Sequence, residues 1–139
     1  MEIMDATLRH QHISITLDNP DNPVVFGRAN DFSQCVINLL ANAKDAIGQR
    51  KIAHGEIAIS VSEDENYGIM TITDNGGGIQ PDIMTKIFDP YFTTKADGLG
   101  IGLYMTHISI ETNMGGQIRV ENAAGGARFT IRLPKPTTG

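Results

Sequence analysis

Between Asp74 and Gly102 the chain reads DNGGGIQPDIMTKIFDPYFTTKADGLGIG, with glycine at 76, 77, 78, 98, 100 and 102. Glycine loses more conformational entropy on ordering than any other residue, so two clusters in one stretch limit what this chain can become more than any other feature. Such clusters mark turns that need positive φ, or backbone that must run close to another group. The first cluster closes an alternating run of apolar residues, and the second opens a helical one. A helix opened by glycines offers unpaired N–H groups and a partial positive charge, for which phosphate is the natural guest.

The flanking sequence supplies the frame of one domain, since 139 residues can bury one substantial core but are short for two. Ile13, Ile15 and Leu17 alternate with Ser14 and Thr16, the period of a half-buried strand. The DNPDNP turn at 18–23 breaks it, and Val24 to Phe26 predict a second short strand. A helix capped by Asn30 or Asp31 follows and runs to about Ile47, where Gly48 stops it. Its Phe32, Cys35, Val36, Leu39, Leu40, Ala43 and Ile47 recur at three- and four-residue steps and form one apolar face. Opposite them, Gln34, Asn38, Asn42 and Asp45 fall along one line. Asparagine and aspartate are poorer helix formers than the Glu, Lys and Arg of an ordinary wet face, so the line is either a functional stripe or a plain solvated one.

Glu56 to Val61 and Tyr67 to Thr73 alternate again and predict a hairpin that delivers the chain to Asp74. Pro81 opens a short helix, and Phe88, Pro90, Tyr91 and Phe92 form an aromatic knot. The second glycine cluster starts a helix whose Ile101, Met105 and Ile108 are expected to face inward. It ends at Gly115 and Gly116, before a last hairpin of Gln117 to Glu121 and Ala127 to Leu133.

A net charge of −5 argues against broad nucleic-acid binding, which rests on lysine and arginine. Cys35 is the only cysteine, so there is no disulfide and no cysteine-based zinc site, and it reads as a small core residue. No apolar run approaches the roughly 20 residues that cross a bilayer, and the first residues lack a secretion signal. A cytoplasmic domain with no membrane contact of its own is expected.

Four stretches, NLLANAKDA (38–46), DNGGGI (74–79), IFDPYFTTK (87–95) and GLGIGL (98–103), together resemble a known set of motifs. They match the N box, first glycine box, F box and second glycine box of the catalytic, ATP-binding domain of bacterial sensor histidine kinases. That domain belongs to the superfamily shared with gyrase B, Hsp90 and MutL. The resemblance implies a single domain over 1–139, with a core at about 5–134, cut from a longer sensor kinase that can be membrane-anchored. It implies a two-layer α/β sandwich, the Bergerat fold, with a mixed sheet of about five strands covered on one face by three helices. Its ligands would be ATP and magnesium. Its partner would be the dimerisation domain that carries the phosphoacceptor histidine, with a response regulator downstream, and the isolated domain is expected to be a monomer.

By the same resemblance Asn42 is the magnesium ligand, with Asn38 and Asp45 beside it on the N-box side. Asn38 stands where gyrase-like ATPases carry the glutamate that activates water; an amide cannot act as a base, which points toward transfer rather than hydrolysis. Asp74 matches the aspartate that reads adenine, whose exocyclic amino group donates the hydrogen bond a carboxylate accepts. Gly76 and Gly78 turn the backbone under the base, and Ile79 lines the pocket. Phe88, Thr93, Thr94 and Lys95 belong to the lid, with Lys95 as a partner of the terminal phosphate. Gly98, Leu99, Gly100, Ile101 and Gly102 bring backbone to the phosphates, and Leu103 lies behind them.

Two places depart from the family pattern. A lysine or arginine is common three residues after the second asparagine of the N box, where this chain has Asp45 and, one place earlier, Lys44. A Gly-Thr pair of the wider superfamily reads Gly126-Ala127, so no threonine contact carries over. His10, His12, His54 and His107 all lack the setting of an acceptor histidine, which is therefore expected on a separate domain. Two alternatives use the same residues: an anti-sigma-type serine kinase of this fold, and a nucleotide-binding interaction module without transfer.

Overall fold

The computed structural model describes residues 13–18, 29–49, 51–89, 100–123 and 125–135, with the backbone alone at 29, 49 and 100–102. The expected strand at Val24 to Phe26, Pro90, Tyr91 and Phe92 of the aromatic knot, and His10 and His12 lie outside the described residues.

Strand β1 (Ile13–Asp18) runs parallel to β2 (Gly55–Glu63), with Ile13 opposite Gly55 and Asp18 opposite Ser60. A parallel pair needs a crossover, and the sequence between the two strands contains helix α1 (Ala29–Gln49). Strand β3 (Tyr67–Asp74) returns antiparallel to β2, and the Asp64 carboxylate closes that hairpin by accepting the Asn66 and Tyr67 N–H groups at 2.9 and 2.7 Å. Short helix α2 (Pro81–Met84) and helix α3 (Gly100–Ile108) lead to the hairpin of β4 (Gln117–Ala123) and β5 (Gly126–Pro134). Strand β5 inserts between β3 and β4, giving a five-stranded mixed sheet in the order β1-β2-β3-β5-β4. This is the mixed α/β sandwich expected from the sequence.

That strand order positions the site. Because β5 is antiparallel to β3, the start of β5 lies beside the end of β3: Thr73 pairs with Arg128, and Ala127 reaches Asp74.

Alternation sends Ile57, Ile59, Ile72, Ile118, Phe129 and Ile131 into the core, where they join Cys35, Leu39, Leu40, Ala43 and Ile47 of α1. Burial pushes the Cys35 thiol above its ordinary value. Helix α3 adds Leu103, and the π-helical turn that extends it (Ser109–Asn113) adds Ile110. Here the sequence expectation fails, because Met105 is 51% exposed and Thr106 is 1% exposed. The hydrogen bond from Asn38 Nδ2 to Thr106 Oγ1, 3.2 Å long, ties the helix rotation to α1. With Thr106 turned inward, its neighbour at one residue's rotation points aside.

Helix α1 also outruns its expected limits, holding Asn30 and Asp31 within its first turn and continuing past Gly48. Its end is a Schellman motif: the Ile52 N–H donates to the Ile47 carbonyl and the Lys51 N–H to the Gly48 carbonyl, both at 3.1 Å, with Lys51 at φ +54°. Lys51 rather than Gly48 occupies the left-handed position that glycine usually takes. A side chain there costs about 1–2 kcal/mol, part of which returns when glycine loosens the unfolded chain. Lys51→Gly is therefore expected to stabilise the domain by about 0.5–1 kcal/mol, read as a rise in the urea midpoint at constant m-value.

Candidate functional site

The end of β3 carries Asp74 into the core, where it is 7% exposed. Its Oδ1 accepts the Gly76 N–H at 2.8 Å and the Ala127 N–H at 3.3 Å. Among the described residues no hydrogen bond reaches Oδ2, so one oxygen is pinned and the other is left for a donor. Burial pushes the carboxyl above the usual aspartate range, and the bonds from Gly76 and Ala127 oppose it. At Gly126 a Cβ would overlap the Asp74 carbonyl oxygen and stand 2.8 Å from Oδ1. Only glycine allows β5 to begin this close.

After Asp74 the backbone turns through the glycine loop. Gly76 lies against α1, where a Cβ would meet the Ala46 Cβ at 2.9 Å. Gly78 adopts φ +81°, and Ile79 packs half-buried on the core. The Asn75 side chain fastens the loop to β2, with its Oδ1 accepting the Glu56 N–H at 2.8 Å and its Nδ2 donating to the His54 carbonyl at 3.0 Å. On the other side the Gly77 N–H donates to the Gly125 carbonyl at 2.9 Å.

The polar line on α1 is real. Gln34 Nε2 donates to Asn38 Oδ1 at 3.2 Å, one helical turn on, and Asn38 in turn bonds Thr106 of α3. Asn42 and Asp45 continue the line as half-buried side chains. Leu103 is buried beneath the start of α3, whose backbone includes Gly100, Ile101 and Gly102. Phe88 stacks on the His107 ring at 5.2 Å between centroids and meets Phe129 edge-on at 6.3 Å, so α3 and β5 hold it. Thr93, Thr94, Lys95, Gly98 and Leu99 lie outside the described residues.

The structure thus gathers Asp74, Gly76, Gly78 and Ile79 in one loop, and puts Asn38, Asn42 and Asp45 on one helix line. Three residues escaped the sequence reading. Thr106 falls three residues after Leu103 and four before Ile110, a core spacing that an apolar-only search overlooks. Ala127 was passed over as a missing threonine, yet its backbone N–H does the work at Asp74. Asn122 gives no sequence signal and is revealed only by its bonds to Ile79.

A buried carboxylate followed by a glycine loop that packs on a helix carrying two asparagines one turn apart is the arrangement that the resemblance of the four sequence stretches implies. Residues 27–137 match the family model for histidine kinase-, DNA gyrase B- and HSP90-like ATPases, and the chain belongs to that family. It is 38% identical over 138 residues to the two-component sensor PprA of Pseudomonas aeruginosa, covering 95% of this chain and 15% of that protein. To the sensor histidine kinase ZraS of Escherichia coli K12 it is 39% identical over 131 residues, covering 94% of this chain and 27% of that one. The chain therefore spans only a minor part of these relatives. Among solved structures, the nucleotide-free catalytic domain of histidine kinase ThkA superposes with a TM-score of 0.86 at 29% identity, covering 96% of this chain and 86% of that one. ThkA in complex with the response regulator TrrA gives a TM-score of 0.81 at 26% identity, covering 97% of this chain and 38% of the ThkA chain. No helix among the described residues is long and apolar enough to cross a membrane.

Gly126→Ala is expected to destabilise the domain by about 1–3 kcal/mol, the usual cost of overpacking, because the obstacle is backbone and cannot swing away. Chemical denaturation measures it, and Gly125→Ala, at φ +80° with open space around its Cβ position, serves as the comparison for conformational strain without a clash.

Proposed function

We propose that this chain binds magnesium–ATP and presents the terminal phosphate to a histidine on a separate dimerisation domain. It would be the catalytic domain, over 1–139, of a longer cytoplasmic-facing sensor histidine kinase, an ATP:protein-histidine phosphotransferase. A response regulator would receive the phosphoryl group afterwards. The observation that carries this reading is the Asp74 carboxylate, held through one oxygen by two backbone N–H groups, with the second oxygen left for a donor. Adenine's amino group is such a donor, whereas guanine would set a carbonyl against it.

Magnesium prefers one or two protein oxygens and takes the rest of its shell from water and phosphate. The donor set on α1 suits that demand, since Asn42 brings one neutral amide oxygen and Asp45 a carboxylate, both half-buried on the same helix line. Asn42 would hold the ion through its amide oxygen, with Asp45 further along the same line, and the ion when bound supplies charge neutralisation at the phosphates. Asn38 cannot take a proton from water, and its amide is engaged with Gln34 and Thr106. That chemistry favours transfer to an outside acceptor over hydrolysis. Lys95, Thr93 and Thr94 would face the terminal phosphate, and the backbone from Gly98 to Gly102 would offer N–H groups where a helix start favours negative charge. Leu99, Ile101 and Leu103 would give that turn its apolar backing, and Phe88 would fix the lid's near end.

Asp74→Asn keeps an acceptor for Gly76 and Ala127 but places an amide where adenine donates, so ATP affinity is expected to fall by about 1.5–3 kcal/mol in calorimetric titration. Stability should move the other way. Because the folded carboxyl titrates above its ordinary value, its contribution to stability is present below the unfolded pKa and is lost as pH rises through the folded one. At neutral pH the buried charge opposes folding, and Asp74→Asn is expected to melt no lower than the wild type. The affinity gap between the two proteins should close on acidification, starting above the ordinary aspartate pKa of about 3.9.

Transfer itself is tested with labelled ATP and an added histidine dimerisation domain. Label on the histidine is the expected result; label on a serine, or bound ATP with no transfer to any such domain, would overturn the kinase reading.

A further inference from the structure

We propose that Asn122 is a positioning residue for nucleotide binding, acting through the glycine loop it clasps. This rests on the reading of Asp74 as the base-binding carboxylate. Asn122 lies near the end of β4, 43 residues from Ile79 in sequence, and its side chain is exposed. An exposed asparagine can satisfy its amide with water and has no solvation reason to order itself. Here both ends of the amide are committed to one residue. The Ile79 N–H donates to Asn122 Oδ1 and Asn122 Nδ2 donates to the Ile79 carbonyl, each at 2.8 Å. The pair imitates one rung of a β-ladder, made with a side chain.

The neighbouring geometry fits the same purpose. The Gly77 N–H bonds the Gly125 carbonyl at 2.9 Å, so the β4–β5 turn grips the loop at two points. A Cβ on Gly78 would stand 2.9 Å from Asn122 Oδ1, so the glycine that turns the loop also admits the asparagine. From the same hairpin, Ala127 donates to Asp74 Oδ1. One hairpin therefore fixes the carboxylate and, through Asn122, the backbone N–H and carbonyl of the residue five positions after it. A loop held in place before the base arrives spares the ordering cost that binding would otherwise carry.

The test is calorimetric titration of the folded chain with magnesium–ATP and magnesium–ADP, at a temperature where circular dichroism finds every variant folded. Asn122→Ala is expected to weaken both nucleotides by about tenfold, the loss of roughly one to two hydrogen bonds' net worth. The two losses should match, because the clasp acts at the base end. Amide exchange at Ile79 should quicken in the same variant. ATP affinity within twofold of wild type, with exchange at Ile79 quickened or the melting temperature lowered, would make Asn122 a structural brace and overturn the proposal, as would a loss confined to ATP. If Asn122→Ala fails to fold, Asn122→Asp carries the test, since it accepts from the Ile79 N–H but cannot donate to its carbonyl; weakened binding supports the role and wild-type affinity overturns it. Asp74→Asn in parallel separates the two ideas. Loss of affinity there with none at Asn122 overturns the positioning role alone, whereas no loss at Asp74 overturns the base-site reading and this proposal with it.

Discussion

No side chain fits between Gly126 and Asp74, and the rest of the site follows from that closeness. Strand β5 can begin directly beneath the end of β3 only because residue 126 has no Cβ. The Ala127 N–H then comes within reach of the Asp74 carboxylate, and the Gly76 N–H reaches the same oxygen from the following turn. Two donors on one oxygen fix the carboxylate plane. The second oxygen acquires a direction without a bond of its own, which is the condition a directional acceptor needs to meet in advance.

Helix α3 is held by side-chain contacts of its own. In the proposed function the first turn of α3 would offer its N–H groups to the phosphates, a task that depends on the helix's rotation. Thr106 bonded to Asn38 sets the rotation against α1. His107 stacks on Phe88, and its Nε2 lies 3.4 Å from the Glu111 carboxylate, which also accepts the Ile118 N–H at 3.0 Å. Through these contacts α3 is joined to α1, to Phe88 and to the start of β4. The π-helical turn at Ser109–Asn113 places Glu111 on the side where β4 begins. A break in helical regularity thus links α3 to the sheet.

The sequence revealed what depends on period and on local chemistry, and hid what depends on contact between distant segments. Alternation located β2 and β3 and the apolar face of α1, because burial of one face imposes those periods. The line from Gln34 to Asp45 was visible because its residues are poor choices for a merely wet helix. The rotation of α3 was not visible. Met105 is the more apolar residue, yet Thr106 is buried, since a partner 68 positions away in sequence satisfies its hydroxyl. Gly48 looked like a helix stop, but the left-handed turn fell on Lys51, where Ile52 could return to pack on the core beside Ile47. Gly126-Ala127 read as a departure from a motif, although what the site uses there is a missing Cβ and a backbone N–H, neither of which a side-chain pattern records.

A buried carboxylate is a poor way to stabilise a fold, and its persistence at Asp74 is itself informative. Desolvation raises its pKa, and the two backbone bonds reduce that penalty without removing it. An asparagine could accept the same two bonds with no charge to bury. What the amide could not do is present a pure acceptor outward, because one of its two polar ends must donate. The charge therefore has a use only if something that donates arrives at Oδ2. Around that one oxygen the loop is fastened to β2 by Asn75 and to the β4–β5 hairpin by Gly77 and Ile79. Such ties do little for a surface turn considered alone. They make sense where the position of a carboxylate oxygen has to be settled before its ligand binds.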